Sequence, residues 1–131
     1  MTTLLLVEDD AGTLEAWAEA CSQEGYSIHC AYDGLAAWEL LTTKPVDVVI
    51  SDLRMPRMSG GVLCERMRES RTLSDTVFIL VSGELTPPAF VRYDCYLRKP
   101  LDMAGLFATV LRLVTSADRN FGAVPTRIKG F

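Results

Sequence analysis

Positive charge is scarce in this chain. Lysine and arginine number 13 against 17 acids, and the net charge is −4. A pI near 4.9 argues against direct nucleic-acid binding, which needs a basic patch or stripe. No apolar run reaches transmembrane length. The Leu4–Val7 run follows Met1 almost at once, with no basic n-region or cleavage site before it, so no signal peptide is expected. Cys21, Cys30, Cys64 and Cys95 lie far apart and form no Cys-x-x-Cys pair. They read as reduced, mostly buried small hydrophobes, not as a metal or disulfide framework. There is no internal repeat. What is present is a globular composition, 49% hydrophobic and 23% charged over 131 residues, enough for one self-sufficient core. The expectation is a soluble, cytoplasmic domain that meets neither membrane nor nucleic acid.

Strand and helix patterns alternate along the chain. Leu4–Val7 is a buried strand ending in Glu8-Asp9-Asp10. Leu14, Trp17, Ala18 and Cys21 give residues 11–24 the stripe of an amphipathic helix, stopped at Gly25. Tyr26–Ala31 is a weaker strand, with His29 on or near an edge. Leu35–Leu41 is a second helix, and Val46–Ser51 a third strand. A third helix surrounds Leu63 and Met67. Thr76–Val81 is the most hydrophobic strand, and Cys95–Leu97 a short fifth one. Asp102 reads as the N-cap of a last helix through Leu106, Phe107, Val110, Leu113 and Val114. Trp17 and Trp38 read as core residues. Five alternations call for a parallel sheet with helices on both faces, in the doubly wound order 2-1-3-4-5.

In such a sheet, chemistry collects at the carboxyl ends of the strands. Glu8, Asp9 and Asp10 follow the first strand there, Asp52 the third, Ser82 the fourth and Lys99 the fifth. Asp52 is placed on a loop just beyond its strand. Two carboxylates about 4 Å apart repel by about 4 kcal/mol at an effective dielectric near 20. A proton or a cation must relieve that, and hard oxygen ligands with room for water suit Mg²⁺. Asp10 reads equally well as a helix cap. A carboxylate can attack phosphorus to form an acyl phosphate. Charge placement then does most of the remaining work, with the cation on one side of the transferring group, Lys99 on another and the Ser82 hydroxyl as donor.

Four motifs in order, Leu-Val-Glu8-Asp9, Asp52-Leu-Arg-Met-Pro56 with Gly60 after it, Val81-Ser82-Gly83 and Tyr96-Leu-Arg-Lys99-Pro100, carry a family resemblance. Over roughly residues 3–115 the sequence resembles a response-regulator receiver domain of two-component (His-Asp phosphorelay) signalling. The resemblance implies a flavodoxin-like fold and a switch phosphorylated by a sensor histidine kinase or a histidine phosphotransfer protein. It implies Asp52 as phosphoacceptor, Asp9 as direct Mg²⁺ ligand, Glu8 acting through water, and the Arg54 carbonyl completing the metal site. It implies Ser82 and Tyr96 as a switch pair and Lys99 as the phosphate-binding lysine. Gly83 matches a position kept small to admit phosphodonor or water. Arg54 and Glu84 match positions that tune phosphate lifetime. A cis Lys99–Pro100 bond is expected, to aim Lys99 inward. No activity is implied beyond self-catalysed phosphotransfer and autodephosphorylation.

The pattern departs in one stretch. Only sixteen residues separate Ser82 from Lys99, with Pro87-Pro88 among them. That is shorter than the family's usual connection, which holds a full fourth helix. Proline disfavours α at the residue before it, so a helix could start only at Pro88 and end near Tyr93. A shortened or irregular fourth helix is expected, anchored by Phe90 and Val91. Residues 1–117 are expected to form the receiver, and residues 118–131 a tail or linker with Phe121 and Phe131 as candidates to dock. The chain then reads as a single-domain regulator or as part of a longer one, acting on a downstream protein or a fused output domain.

Three other readings compete. A non-phosphorylated pseudo-receiver acting as an interaction module is opposed by the complete residue set. A flavin site needs phosphate-cradling N–H donors after the first strand, where three acids stand. A phosphohydrolase built on an aspartate nucleophile usually wants a second acid two residues on, where Arg54 stands.

Overall fold

The computed structural model describes residues 1–115. The expected 118–131 tail, with Phe121 and Phe131, lies outside the described residues. Five parallel strands stand in the order β2-β1-β3-β4-β5. They are β1 (Thr3–Val7), β2 (Ser27–Ala31), β3 (Val48–Asp52), β4 (Val77–Ser82) and β5 (Cys95–Arg98). Four helices connect or follow them: α1 (Ala11–Gln23), α2 (Gly34–Leu41), α3 (Gly60–Arg68) and α4 (Met103–Thr115). His29 lies on the edge strand β2.

Side-chain alternation divides the core in two. Leu5, Val7, Val49, Phe78 and Leu80 face α2 and α3. Leu4, Leu6, Val48, Ile50, Val77, Ile79 and Val81 face α1 and α4. Because both faces are covered, the central strands read as unbroken apolar runs and not as alternating ones. Trp17 is buried in the second core, and Trp38 packs at the margin of the first, with the Arg66 guanidinium 4.4 Å above its ring. Cys21 and Cys64 are buried and Cys95 half-buried, but Cys30 is exposed because it sits on the outer strand.

Local signals set the helix ends. Asp10 caps α1 by accepting the Thr13 N–H at 2.9 Å, and Gly25, at φ 101°, turns the chain away after it. Asp33 caps α2, Ser59 caps α3 and Asp102 accepts the Gly105 N–H at the start of α4. Gly60 is required by closeness. A Cβ there would lie 2.2 Å from the Asp52 carbonyl oxygen, so α3 starts hard against the end of β3.

Between β4 and β5 no helix forms. Thr86 and Pro87 each precede a proline, which keeps them from α. Val91 is buried at 8% and joins the α3-facing core. Phe90 corrects the expectation. It adopts φ 63° and is 90% exposed, so it anchors nothing. The segment is held instead by charges. Arg92 pairs with Glu65 on α3 and with Glu69 just past its end. The Arg68 and Asp94 side chains, 1% and 0% exposed, meet at 3.0 Å. Arg68 also donates to the carbonyls of Ser74, Thr76 and Arg92, and Asp94 accepts the Phe78 N–H.

Candidate functional site

The register of β1 against β3 pairs Val7 with Ser51, which sets Glu8 beside Asp52. Asp52 is the last residue of β3 and not a loop residue, because its partner Val81 continues the ladder with β4. The strand therefore fixes its backbone. Its Oδ1 accepts the Leu53 N–H at 2.9 Å and lies 3.3 Å from Lys99 Nζ. Oδ2 accepts no hydrogen bond among the described residues. Lys99 follows β5, its N–H held by the Ser82 carbonyl, and the Lys99–Pro100 peptide is cis. Its ammonium donates to Glu8 Oε1 at 2.8 Å and sits 5.9 Å from the centre of the Trp17 ring. Glu8 is buried, and its Oε2 accepts the Asp10 N–H at 2.9 Å.

One ammonium thus serves two buried carboxylates. Burial pushes the Asp52 carboxyl above its ordinary range, against the opposing pull of Lys99. Burial also raises Glu8, opposed by the Lys99 hydrogen bond and assisted by the Asp52 charge. Burial works against the Lys99 charge, but the Glu8 bond and both carboxylates outweigh it, and its pKa is raised. Carboxylate oxygens of Glu8, Asp9 and Asp52 all lie within 4.8 Å of one another. Asp9 is exposed, so water can reach the cluster. Hard oxygen donors, excess negative charge and open access fit a magnesium-like ion.

The surplus charge has a consequence for stability. Asp52→Asn should raise the melting temperature by a few degrees at neutral pH without divalent metal. The raised native pKa means that ionising Asp52 costs the folded state more than the unfolded chain. Stability from this group therefore falls as pH climbs from about 3.9, the unfolded value, through the raised folded value. The advantage of the asparagine should vanish in acid, where both states carry a protonated Asp52. Melting curves of the two proteins against pH test this. Equal melting temperatures at neutral pH would remove the surplus-charge account.

The remaining candidates lie around this centre. Ser82 ends β4, and its Oγ accepts the Glu84 N–H at 3.1 Å. The Tyr96 hydroxyl donates to the Glu84 carbonyl at 2.7 Å. Arg54 meets the Glu84 carboxylate with two contacts, 2.6 and 3.2 Å. That partner holds the Arg54 pKa up and the Glu84 pKa down. One residue, Glu84, therefore joins Ser82, Tyr96 and Arg54. A Cβ on Gly83 would meet nothing within 4 Å, so packing does not demand glycine there. Sequence reasoning missed the Arg54–Glu84 link and the Arg68–Asp94 pair.

The family model for the response regulator receiver domain matches residues 4–111. The chain belongs to this family. Among curated relatives, the sensor kinase CckA of Brucella abortus is 33% identical over 124 residues, 88% of this chain and 13% of its own. The response regulator MprA of a Mycobacterium species is 33% identical over 125 residues, 88% of this chain and 52% of its own. The receiver thus spans about half or less of the first curated relatives. Among solved structures, the signal receiver domain of a histidine kinase from Syntrophus aciditrophicus is 26% identical with a TM-score of 0.83, covering 93% of this chain and 96% of that one. The receiver domain of the Pseudomonas aeruginosa histidine kinase PA1611, described with magnesium in its active-site cleft, shares the fold. Its TM-score is 0.82 at 21% identity, over 88% of this chain and 98% of that one. Receiver domains are signalling modules and not conventional enzymes. Among the described residues, no helix is long and apolar enough to cross a membrane.

Proposed function

We propose that this receiver is a phosphorylation-driven switch that takes a phosphoryl group on Asp52 from a histidine kinase or phosphotransfer protein. The observation that carries the reading is Lys99 set between Glu8 and Asp52, with the second Asp52 oxygen left open. Asp52 Oδ2 attacks phosphorus, an O–P bond forms and the P–N bond to the donor imidazole breaks. The leaving nitrogen keeps the electron pair and takes a proton. Asp9 and Asp52 would hold Mg²⁺ directly, Glu8 through water, and the Arg54 carbonyl would complete the set. When bound, the ion would neutralise part of the charge on the transferring phosphoryl group. Lys99 meets the phosphoryl oxygens from the other side.

The phosphoryl group adds about −1.5 to −2 charge and three strong acceptors. The Ser82 hydroxyl, whose oxygen now accepts the Glu84 N–H, would turn to donate to this group, which also competes for Arg54, now bound to the Glu84 carboxylate. Losing both partners frees Glu84, and with it the carbonyl that Tyr96 holds. Signal would pass this way to a downstream protein or a fused output domain. Gly83 leaves the approach open, and Arg54 with Glu84 would set how long the phosphate lasts.

Trp17 fluorescence tests the reading, in a Trp38→Phe background. A small acyl-phosphate donor should change the signal only with Mg²⁺ present, and the signal should decay after the donor is removed. Glu84→Gln should shift that decay several-fold. A donor response unaffected by chelation would overturn the proposed metal role, and an unchanged decay would remove Glu84 from phosphate lifetime.

A further inference from the structure

The Arg54 carbonyl, the last member of the proposed metal set, stands on the loop from β3 to α3. That loop is strapped from both flanks. On one side the Arg54 side chain meets Glu84. On the other, the start of α2 holds it. The Gly34 N–H donates to the Met58 carbonyl at 3.1 Å. A Cβ on Gly34 would lie 2.3 Å from that oxygen, so loop and helix start are in direct contact. Beside them the Arg57 guanidinium pairs with the Asp33 carboxylate. The Asp33 side chain is buried, and both of its oxygens are engaged. Oδ1 accepts the Ala36 N–H at 2.8 Å, and Oδ2 accepts from Arg57. Arg57 itself has φ 67°, a conformation that residues other than glycine rarely adopt. Such a backbone persists where its surroundings over-determine it.

We infer that Asp33 and Arg57 are positioning residues for the metal site, and that their ion pair holds the loop so that the Arg54 carbonyl stays aimed at Mg²⁺. The inference rests on the proposed metal set and supplies what supports one ligand of it. Asp52 is fixed by the β3–β4 ladder, but Arg54 lies beyond the end of that ladder. A backbone carbonyl has no side-chain torsion with which to find an ion. Its direction is set by the loop alone, and groups that orient a ligand share in its affinity. Arg57 is 64% exposed, so its pair adds little to global stability and acts on local geometry. When Arg54 releases Glu84 to a phosphoryl group, the Asp33 side is the strap that remains. The charge of Arg57 opposes a bound cation. Were charge its only effect, removing it would tighten Mg²⁺ binding. Positioning gives the opposite sign.

Titration of the full chain with Mg²⁺, without phosphodonor and followed by backbone amide signals, tests it. The Met55 N–H shares a peptide unit with the Arg54 carbonyl and reports on that ligand. In wild type the Asp9, Asp52 and Met55 amides should shift together. Arg57→Asn removes the cation but keeps the turn, because asparagine tolerates positive φ. It should weaken Mg²⁺ binding roughly three- to tenfold, short of the roughly ten- to hundredfold loss typical of a residue that touches a ligand directly. Its Met55 shift at saturation should also shrink. Arg57→Lys should bind within about twofold of wild type, because one guanidinium nitrogen meets Asp33 and a point charge can replace it. In an Asp33→Asn background, which keeps an oxygen for the Ala36 N–H, Arg57→Asn should have no further effect. Unchanged or tighter binding by Arg57→Asn overturns the inference and leaves the metal site standing. So does an Arg57→Lys as weak as Arg57→Asn, or an undiminished effect in the Asp33→Asn background. A wild type with no shift at Asp9 and Asp52 would instead remove the metal reading itself, and this inference with it.

Discussion

Arg68→Met should lower the unfolding free energy by roughly 3–5 kcal/mol, the range for removing one partner of a buried ion pair. The cost is not the loss of attraction alone. Methionine fills much of the arginine's volume but donates nothing. Asp94 is left charged with its side chain fully buried, and the carbonyls of Ser74, Thr76 and Arg92 lose the guanidinium donor. These groups tie α3 to the entries of β4 and β5. The fifth strand, which carries Lys99 at its end, should loosen with them. Arg68→Met with Asp94→Leu should recover part of the loss, because the acid that faced the guanidinium goes, while the three carbonyls still lack that donor and the Phe78 N–H loses its acceptor. Urea unfolding measures both. A single variant within about 1 kcal/mol of wild type would mean that the buried pair is not what holds this segment.

Lys99→Met should slow phosphoryl acceptance by on the order of 10²-fold, comparable with removing one charge-stabilising donor from a pre-organised site. Two effects act in the same direction. The transferring group loses the cation that faces it from β5, and Glu8 and Asp52 lose the ammonium that they share. With that charge gone, both carboxyls should rise further, so less Asp52 is ionised to attack. Lys99→Arg should restore the charge but only part of the rate, because a planar fork does not replace a point charge held 2.8 Å from Glu8. A time course of intact mass with donor and Mg²⁺ gives the rates. A wild-type rate in Lys99→Met would remove the lysine from the chemistry.

The alternation of apolar runs with helical stripes was enough to order the sheet, because each central strand is covered on both faces. Parallel topology then gathers Glu8, Asp52, Ser82 and Lys99 without any knowledge of side-chain contacts. The third strand ends one residue later than its sequence suggests, at Asp52 and not Ser51, since a polar residue that still pairs in the ladder looks like the start of a loop. The missing helix between β4 and β5 was legible from two adjacent prolines in a short connection. Phe90 was not, because hydrophobicity predicts burial and says nothing of a backbone turned to positive φ. Arg68 carried a usable signal. It lies four residues after Cys64 on the stripe that includes Leu63 and Met67, where an arginine is out of place unless a buried acid meets it. The acid, Asp94, comes from the far side of the connection, 26 residues on, and no local pattern joins the two. The Arg54–Glu84 contact spans 30 residues and was hidden for the same reason.

Phosphorylation of Asp52 is central to the proposed switch, and intact-mass measurement with site mapping tests it most directly. With a small acyl-phosphate donor and Mg²⁺, wild type should gain one phosphoryl group, mapped to Asp52. Asp52→Asn should gain none, and neither should wild type under chelation. An adduct that persists in Asp52→Asn, or that forms equally fast without divalent metal, would contradict the account.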